Sequence, residues 1–494
     1  MSSFYKDFTK VASAPIITQI LSVILTPIIT RLFPPESFGI AQLFGSITSP
    51  LMVFITMGYA IPIMIAESEE ERINLFIISI SFSMSISIVI GLLFFAGYDL
   101  INQALNIDQI KIIIWILPLS LFLHGLYLSL RYWNLKNANF QQNALGEISR
   151  NLGNYLIVVP IGFLGFTSAK ILIIGGFVSS ITAIFALSFK QLKLLRNKFV
   201  YYFNYECIKR LLVRYRRFSF YNTPSDLLSR ITSEAPVVFY AFFFSSNVIG
   251  FYSLSLRVLS LPIKYLGSSI GEVYFQRASF DKSGNEKLLN KILTVIFILC
   301  FPFFSTISII GSELFSFIFG QPWRNAGQYS QVLSFYIFVK LITSLASYLT
   351  NILEKPDYYF IYIILDTLFI FTGIIIGGIL KNIFISLFMV LLLSGTVNLV
   401  FARYMYSLIG VSIKGVWIKI RQSIILSLIC VVIMITLKIL FINNGLMLII
   451  LSGILLFMNY LLLAIFEPEI REILRKLLGL LRNKYFQNKR VKFQ

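Results

Sequence analysis

Apolar residues run along this chain in stretches far longer than the interior of a globular domain requires, each closed by a short cluster of charged, glycine or proline residues. A helix that crosses a bilayer needs about 20 mostly apolar residues. By that measure the pattern predicts fourteen spans, at 11–31, 40–65, 73–97, 111–131, 147–165, 170–189, 218–244, 247–275, 291–311, 328–352, 358–380, 382–403, 420–440 and 445–466. Several exceed what an upright helix needs, which implies tilt or kinks. The expected fold class is all-α integral membrane protein. The first stretch is too long for a signal peptide's apolar core and has no small-residue cleavage site, so it reads as a retained span.

Charge sharpens the picture. Of the 494 residues 57% are hydrophobic and 13% are charged, and a chain well short of about a quarter charged lacks the polar surface to face water on all sides. Lys and Arg accumulate in cytoplasmic loops. With the N-terminus inside, the even-numbered loops and both tails carry 31 of the 42 Lys and Arg. The odd-numbered loops and their flanks carry six: Arg31, Lys111, Lys170, Arg324, Lys381 and Lys438. A wrong span count would scramble that separation, so both termini are expected in the cytoplasm.

Nine of the inside charges fall between Lys190 and Arg217. This basic linker suggests a division into an N-terminal six-helix bundle (1–189), the linker (190–217), a C-terminal six-helix bundle (218–410), an extra helix pair (411–466) and a basic amphipathic tail (467–494). A polynucleotide site is the rival reading of such a run, but the positive-inside rule and anionic membrane lipids account for it, and no nucleic-acid partner is expected. The acidic run Glu67 to Glu71 reads as a solvated turn, and Ile470 to Leu481 as an amphipathic helix lying on the inner leaflet.

The two halves repeat their punctuation. Pro15 and Pro27 lie twelve residues apart in span one, as do Pro224 and Pro236 in span seven; Gly39 and Pro50 are echoed by Gly250 and Pro262. Proline removes a backbone donor and bends a helix, so matching prolines imply matching bends. An even number of spans separates the copies, so the repeat axis should run along the membrane normal, and Gly/Pro-interrupted segments at matching positions point to a substrate cavity among spans 1, 2, 7 and 8.

These residues also carry a resemblance. Thr30-Arg31-Leu32-Phe33-Pro34-Pro35-Glu36-Ser37-Phe38-Gly39 resembles the TRL-x-x-PE-x-FG signature that follows the first span of Wzx-type polysaccharide flippases. Tyr215-Arg216-Arg217-Phe218, Thr223-Pro224-Ser225, Gly250-Phe251-Tyr252-Ser253-Leu254 and Arg257-Val258-Leu259-Ser260-Leu261-Pro262 are similar to that family's central block, and Trp323-Arg324-Asn325-Ala326-Gly327 to its later W-x-x-AG segment. The matches cover roughly residues 10 to 360, in the family's order. The resemblance implies the multidrug/oligosaccharidyl-lipid/polysaccharide exporter fold, two six-helix bundles around a cavity that opens alternately to each side of the bacterial inner membrane. It implies as partner and cargo an undecaprenyl-diphosphate-linked oligosaccharide bound for O-antigen or another surface polysaccharide. A polysaccharide polymerase and a chain-length regulator are the further partners it suggests.

Charges inside the spans are the candidate site. A charge at mid-helix costs about 2.5–3.5 kcal/mol on insertion scales, so such residues face a cavity or a partner. Arg257 and Lys264, seven apart on span eight, would place two cations on one face to compensate a diphosphate; the alternative is that both neutralise carboxylates. Lys340 in span ten and Arg150 in span five could join them, with snorkelling the alternative for Arg150. Arg31 matches the family signature and could equally anchor at the interface. Asp226, Arg230 and Glu234 form an i, i+4, i+8 stripe that can neutralise itself; alternatively Asp226 or Glu234, with Asp366 in span eleven, is a proton or sodium coupling site. His124 reads as a satisfied core residue.

No Walker loop, GxSxG or dinucleotide fingerprint occurs, and Cys207, Cys300 and Cys430 have no paired spacing. No metal or organic cofactor is expected beyond coupling to H+ or Na+, and no enzymatic activity. A cation-coupled multidrug antiporter is the nearest rival, but it wants uncompensated carboxylates. A polysaccharide polymerase or ligase would need an outer domain, and the longest outer loop, 311–327, is too short for one.

Overall fold

The computed structural model describes residues 2–99, 110–189, 201–264, 274, 285–353, 355–411, 413–441, 444–467 and 471, and among these no strand occurs. The chain divides into two compact units, 1–253 and 254–494. Nine of the described helices are long and apolar enough to cross a membrane, which makes this a multi-pass membrane protein.

The first unit contains α1 (Ser2–Leu32), α2 (Pro35–Phe54), α3 (Glu69–Ala96), α4 (Ile110–Lys136), α5 (Phe140–Phe163), α6 (Ala169–Ser188), the short α7 (Tyr205–Arg214), α8 (Thr223–Phe243) and the first half of α9 (Ser246–Leu259). Because α7 lies in the linker, spans seven and eight of the sequence reading are α8 and α9. The boundary between the units falls at 253/254 rather than in the linker, because α8 and the start of α9 pack on α2.

That packing explains the repeated glycines. A Cβ on Gly39 would lie 1.8 Å from Ser246 O, and one on Gly250 would lie 2.0 Å from Pro35 O. Gly39 and Gly250 each sit four residues into their helices, against the first residue of the other helix. The contact is therefore reciprocal, and only a residue without a side chain lets the backbones come so close.

Span two was expected to continue to residue 65, but α2 stops at Phe54. Met57 (φ 45°) and Gly58 (φ 74°) adopt left-handed backbone that an α-helix cannot absorb, and a short 3-10 turn, Ile61–Met64, follows. Gly58 packs against Phe218, the first residue of a π-helical turn (Phe218–Asn222) that leads into α8 just ahead of Pro224. The two irregular segments thus meet, one following α2 and the other leading into α8.

The acidic run departs from its expected role as a solvated turn. Ser68 caps α3 by accepting from the Glu71 N–H at 3.1 Å, and Glu71 is buried. Arg214 at the end of α7 bridges Glu71 (3.0 Å) and Glu67 (2.5 Å). Asn204, the N-cap of α7, donates to Glu70 at 2.9 Å, and Tyr59 donates to Leu212 O at 2.9 Å. The linker helix is thus docked, its Cys207, Leu211 and Tyr215 joining a core with Phe76 and Trp133. Burial there pushes the Cys207 thiol and the Tyr215 hydroxyl up. Residues 190–200 of the linker and Arg475 and Lys476 of the tail lie outside the described residues.

The second unit contains the rest of α9, then α10 (Asn285–Phe319), α11 (Arg324–Ile352), α12 (Pro356–Ile379), α13 (Ile383–Ser407), α14 (Ile413–Leu440) and α15 (Gly445–Phe466). At 35 residues α10 is about 50 Å long, more than the hydrocarbon layer needs. It consumes most of the expected 311–327 loop, leaving Gly320 (φ 104°) and a turn at Gln321–Trp323, with Trp323 fully buried. The extra pair α14 and α15 packs on α10 through Ile309, Ile310, Met434 and Leu448. Lys438 fastens its end by donating to Ile309 O and Glu313.

Candidate functional site

In the first unit the polar side chains of α2, α4, α5 and α8 form one array. Ser46 donates to Glu234 Oε2 at 2.8 Å, and Arg230 donates to Ser49 Oγ at 3.2 Å. The pairs run in opposite order along α2 and α8, as antiparallel neighbours must. The self-paired stripe expected on α8 does not form among the described residues: Arg230 and Glu234 turn instead to hydroxyls that α2 presents one turn apart, and Asp226 is exposed at the head of α8. Arg150 lies over the Tyr127 ring at 5.0 Å, so it does not simply snorkel, and Tyr127 is in ring contact with His124. Both Arg150 and Arg230 lie within electrostatic reach of His124. Of the two predicted cations, Arg150 thus faces the Tyr127 ring and Arg230 a hydroxyl of α2.

In the second unit Lys340 and Asp366 find each other, Nζ to Oδ2 at 2.8 Å. Asp366 is buried; its Oδ1 also accepts from Asn398 at 2.7 Å and from Ser394. Tyr362 donates to Asn398 at 2.8 Å. The carboxylate is therefore saturated from α11 and α13, and the ammonium occupies the place where a loose cation would bind. Lys340 here takes the alternative weighed for the mid-span cations, neutralising an acid.

Arg257 and Lys264 are both exposed. Arg257 lies in the last turn of α9, which ends at Leu259. After a turn at Ser260 the chain continues helically over 261–264. The Ser260 N–H donates to Leu256 O at 2.9 Å and the Lys264 N–H to Ser260 O at 3.0 Å, while Pro262 has no N–H to give. The two cations thus lie seven residues apart on helical backbone interrupted only by the turn at Ser260, and residues 265–273 beyond them lie outside the described residues. Arg31 is exposed in the last turn of α1. Of the bend positions, Pro15 and Pro27 lie within continuous α1, while Pro50 and Pro236 lie inside α2 and α8. Pro224 is the second residue of α8, directly after the π turn, and Pro262 lies in the helical stretch 261–264 that follows the turn at Ser260.

The sequence reading passed over Gln42, Ser46 and Ser49 on α2 and over Ser394 and Asn398 on α13. Each set recurs at helical spacing within an otherwise apolar span, a polar stripe that would have marked it.

No curated protein matches the chain significantly. Its structure is similar to one described as "Lipid II flippase MurJ, inward closed conformation", with TM-score 0.73 and 17% identity over 94% of this chain and 99% of that one. It is also similar to an inward-facing multidrug resistance MATE family transporter of the MOP superfamily, with TM-score 0.59 and 12% identity over 78% of this chain and 94% of that one. At such identities these likenesses establish a fold shared with those two transporters, and not the cargo. A family model described as "Polysaccharide biosynthesis protein" matches residues 28–328, more than half of the sequence and including both the Gly39/Gly250 contact and the Arg150–Arg230 array, and the chain belongs to that family.

Proposed function

We propose that this protein is a flippase that translocates an undecaprenyl-diphosphate-linked saccharide across the bacterial inner membrane by alternating access, with fourteen spans and both termini in the cytoplasm. The observation that carries the reading is the surplus of cations over available carboxylates. Among the described residues Asp366 and Lys340 are committed to each other, and the carboxylates that remain, Glu234, which accepts from Ser46, and Asp226, are fewer than the cations Arg150, Arg230 and Arg257. Arg150 and Arg230 face neutral partners, and Arg257 makes no ion pair among the described residues. Cations without a carboxylate partner favour an anionic ligand such as a diphosphate, to which Arg presents a bidentate fork.

The family's part in polysaccharide biosynthesis and the fold shared with a lipid II flippase support this cargo over a cationic drug. With Asp366 occupied by Lys340, Glu234 and Asp226 are the residues left to couple transport to H+ or Na+. The product would feed O-antigen or another surface polysaccharide, next to a polymerase and its chain-length regulator. The test is complementation of a strain lacking this gene, scored for surface polysaccharide and for lipid-linked units held on the cytoplasmic side. The wild-type chain should restore export, and Arg257→Ala or Lys264→Ala should abolish it at unchanged membrane abundance. Normal export by either variant would refute the assignment.

A further inference from the structure

Away from the Arg150–Arg230 array, the first unit holds a pocket of about 400 Å3 between the start of α5 and the end of α6. Its volume falls within the about 300–1,000 Å3 typical of small-molecule sites. The chain builds it by a tight turn from α4 to α5, in which Ala138 takes a left-handed φ of 53°. Asn134 ties that turn to the end of α6, donating to Leu187 O at 3.1 Å.

Four polar side chains line the pocket: Asn139, Gln141, Gln142 and Ser149. Asn139 stands at the N-cap of α5 yet makes no side-chain capping bond. Gln142 is 7% exposed, and its Oε1 is buried without a hydrogen-bond partner. A buried amide in that state is costly, because it has given up water and gained nothing in return. No lining side chain is ionisable, so the pocket offers nothing to a phosphate or an ammonium. Phe140 and Phe185 supply rings, and Phe185 is 61% exposed. The pocket-lining residues Ala138 and Asn139 directly follow the end of α4, which carries Arg131 and Lys136 and which the distribution of basic residues assigns to the cytoplasmic face.

One buried amide oxygen without a partner, two further amides and a hydroxyl beside the exposed ring of Phe185, without charge, match a sugar ring: its hydroxyls exchange hydrogen bonds with amides, and its C–H faces pack on aromatic rings. We propose that this pocket is a docking site for the saccharide head of a lipid-linked glycan in the inner leaflet, separate from the cationic array that would take the diphosphate. The proposal rests on the cargo proposed above. Gln142 turns its amide to the ligand, and Phe185 bounds the mouth on the lipid side.

The test uses full-length protein in lipid nanodiscs and two probes, undecaprenyl diphosphate carrying one N-acetylglucosamine and undecaprenyl diphosphate without sugar, with binding read by native mass spectrometry. Gln142→Leu, and separately Ala186→Trp, which fills the pocket, should weaken the sugar-bearing probe about tenfold, the worth of a hydrogen bond or two, and leave the sugar-free probe unchanged. Gln142→Leu should keep or raise the melting temperature, since it removes an unpartnered amide; a purely structural Gln142 would lower it. Unchanged binding of the sugar-bearing probe by Gln142→Leu, or equal weakening of both probes, overturns the pocket while leaving the flippase reading intact. Failure of the wild-type protein to bind either probe overturns both.

Discussion

Asp366 illustrates what a single buried charge demands. Its carboxylate lies in mid-helix and is matched by an ammonium, an amide and a hydroxyl. Removing the ammonium alone strands the charge, so Lys340→Met should destabilise the protein, toward the lower end of the about 3–5 kcal/mol seen when buried pairs are broken, because Asn398 and Ser394 remain. Lys340→Met combined with Asp366→Asn should recover most of that loss. Thermal unfolding of the purified variants, followed by size-exclusion chromatography, measures both. A double variant no more stable than Lys340→Met would mean that the pair is not the source of the effect. The sequence made both residues visible as charges in apolar spans but did not pair them. Helical periodicity relates residues within one helix, and Lys340 and Asp366 lie on different helices. The same limit applied to Arg230 and Glu234, whose spacing suggested mutual pairing although α2 supplies competing hydroxyls.

At the scale of elements, the punctuation was the most legible signal. Apolar length located the helices, and the repeated glycines Gly39 and Gly250 located a place where they touch, while Pro15, Pro27, Pro50 and Pro236 lie inside continuous helices. What spacing could not convey is that Gly39 and Gly250 meet each other, or that the acidic run Glu67 to Glu71 is a dock for the linker helix rather than a solvated turn. Two glycines of α2 separate packing from propensity. Gly39→Ala drives a Cβ into Ser246 O and should collapse the yield of monodisperse protein, whereas Gly45→Ala meets nothing within 4 Å and should be neutral or stabilising by up to about 1 kcal/mol. Fluorescence-detected chromatography distinguishes them; equal behaviour of the two variants would contradict the close contact. The end of α2 was misjudged because the stretch to residue 65 remains apolar, and only the left-handed pair Met57 and Gly58 halts the helix.

For the molecule as a whole, composition and basic-residue asymmetry made a multi-spanning protein legible at once, and the family match and shared transporter fold agree with it. The candidate site was legible in part: the charged residues were found, while the neutral groups that decide which charges are compensated were not. The central claim is that Arg257 and Lys264 face water along the substrate's route rather than lipid. Its most direct test is cysteine accessibility in intact membranes, in a background with Cys207, Cys300 and Cys430 replaced by Ser. Arg257→Cys and Lys264→Cys should react with a membrane-impermeant methanethiosulfonate and be protected by the lipid-linked diphosphate substrate, while Ile425→Cys, on an apolar exposed face of α14, stays unreactive. Labelling of Arg257→Cys and Lys264→Cys no faster than that of Ile425→Cys would contradict the account.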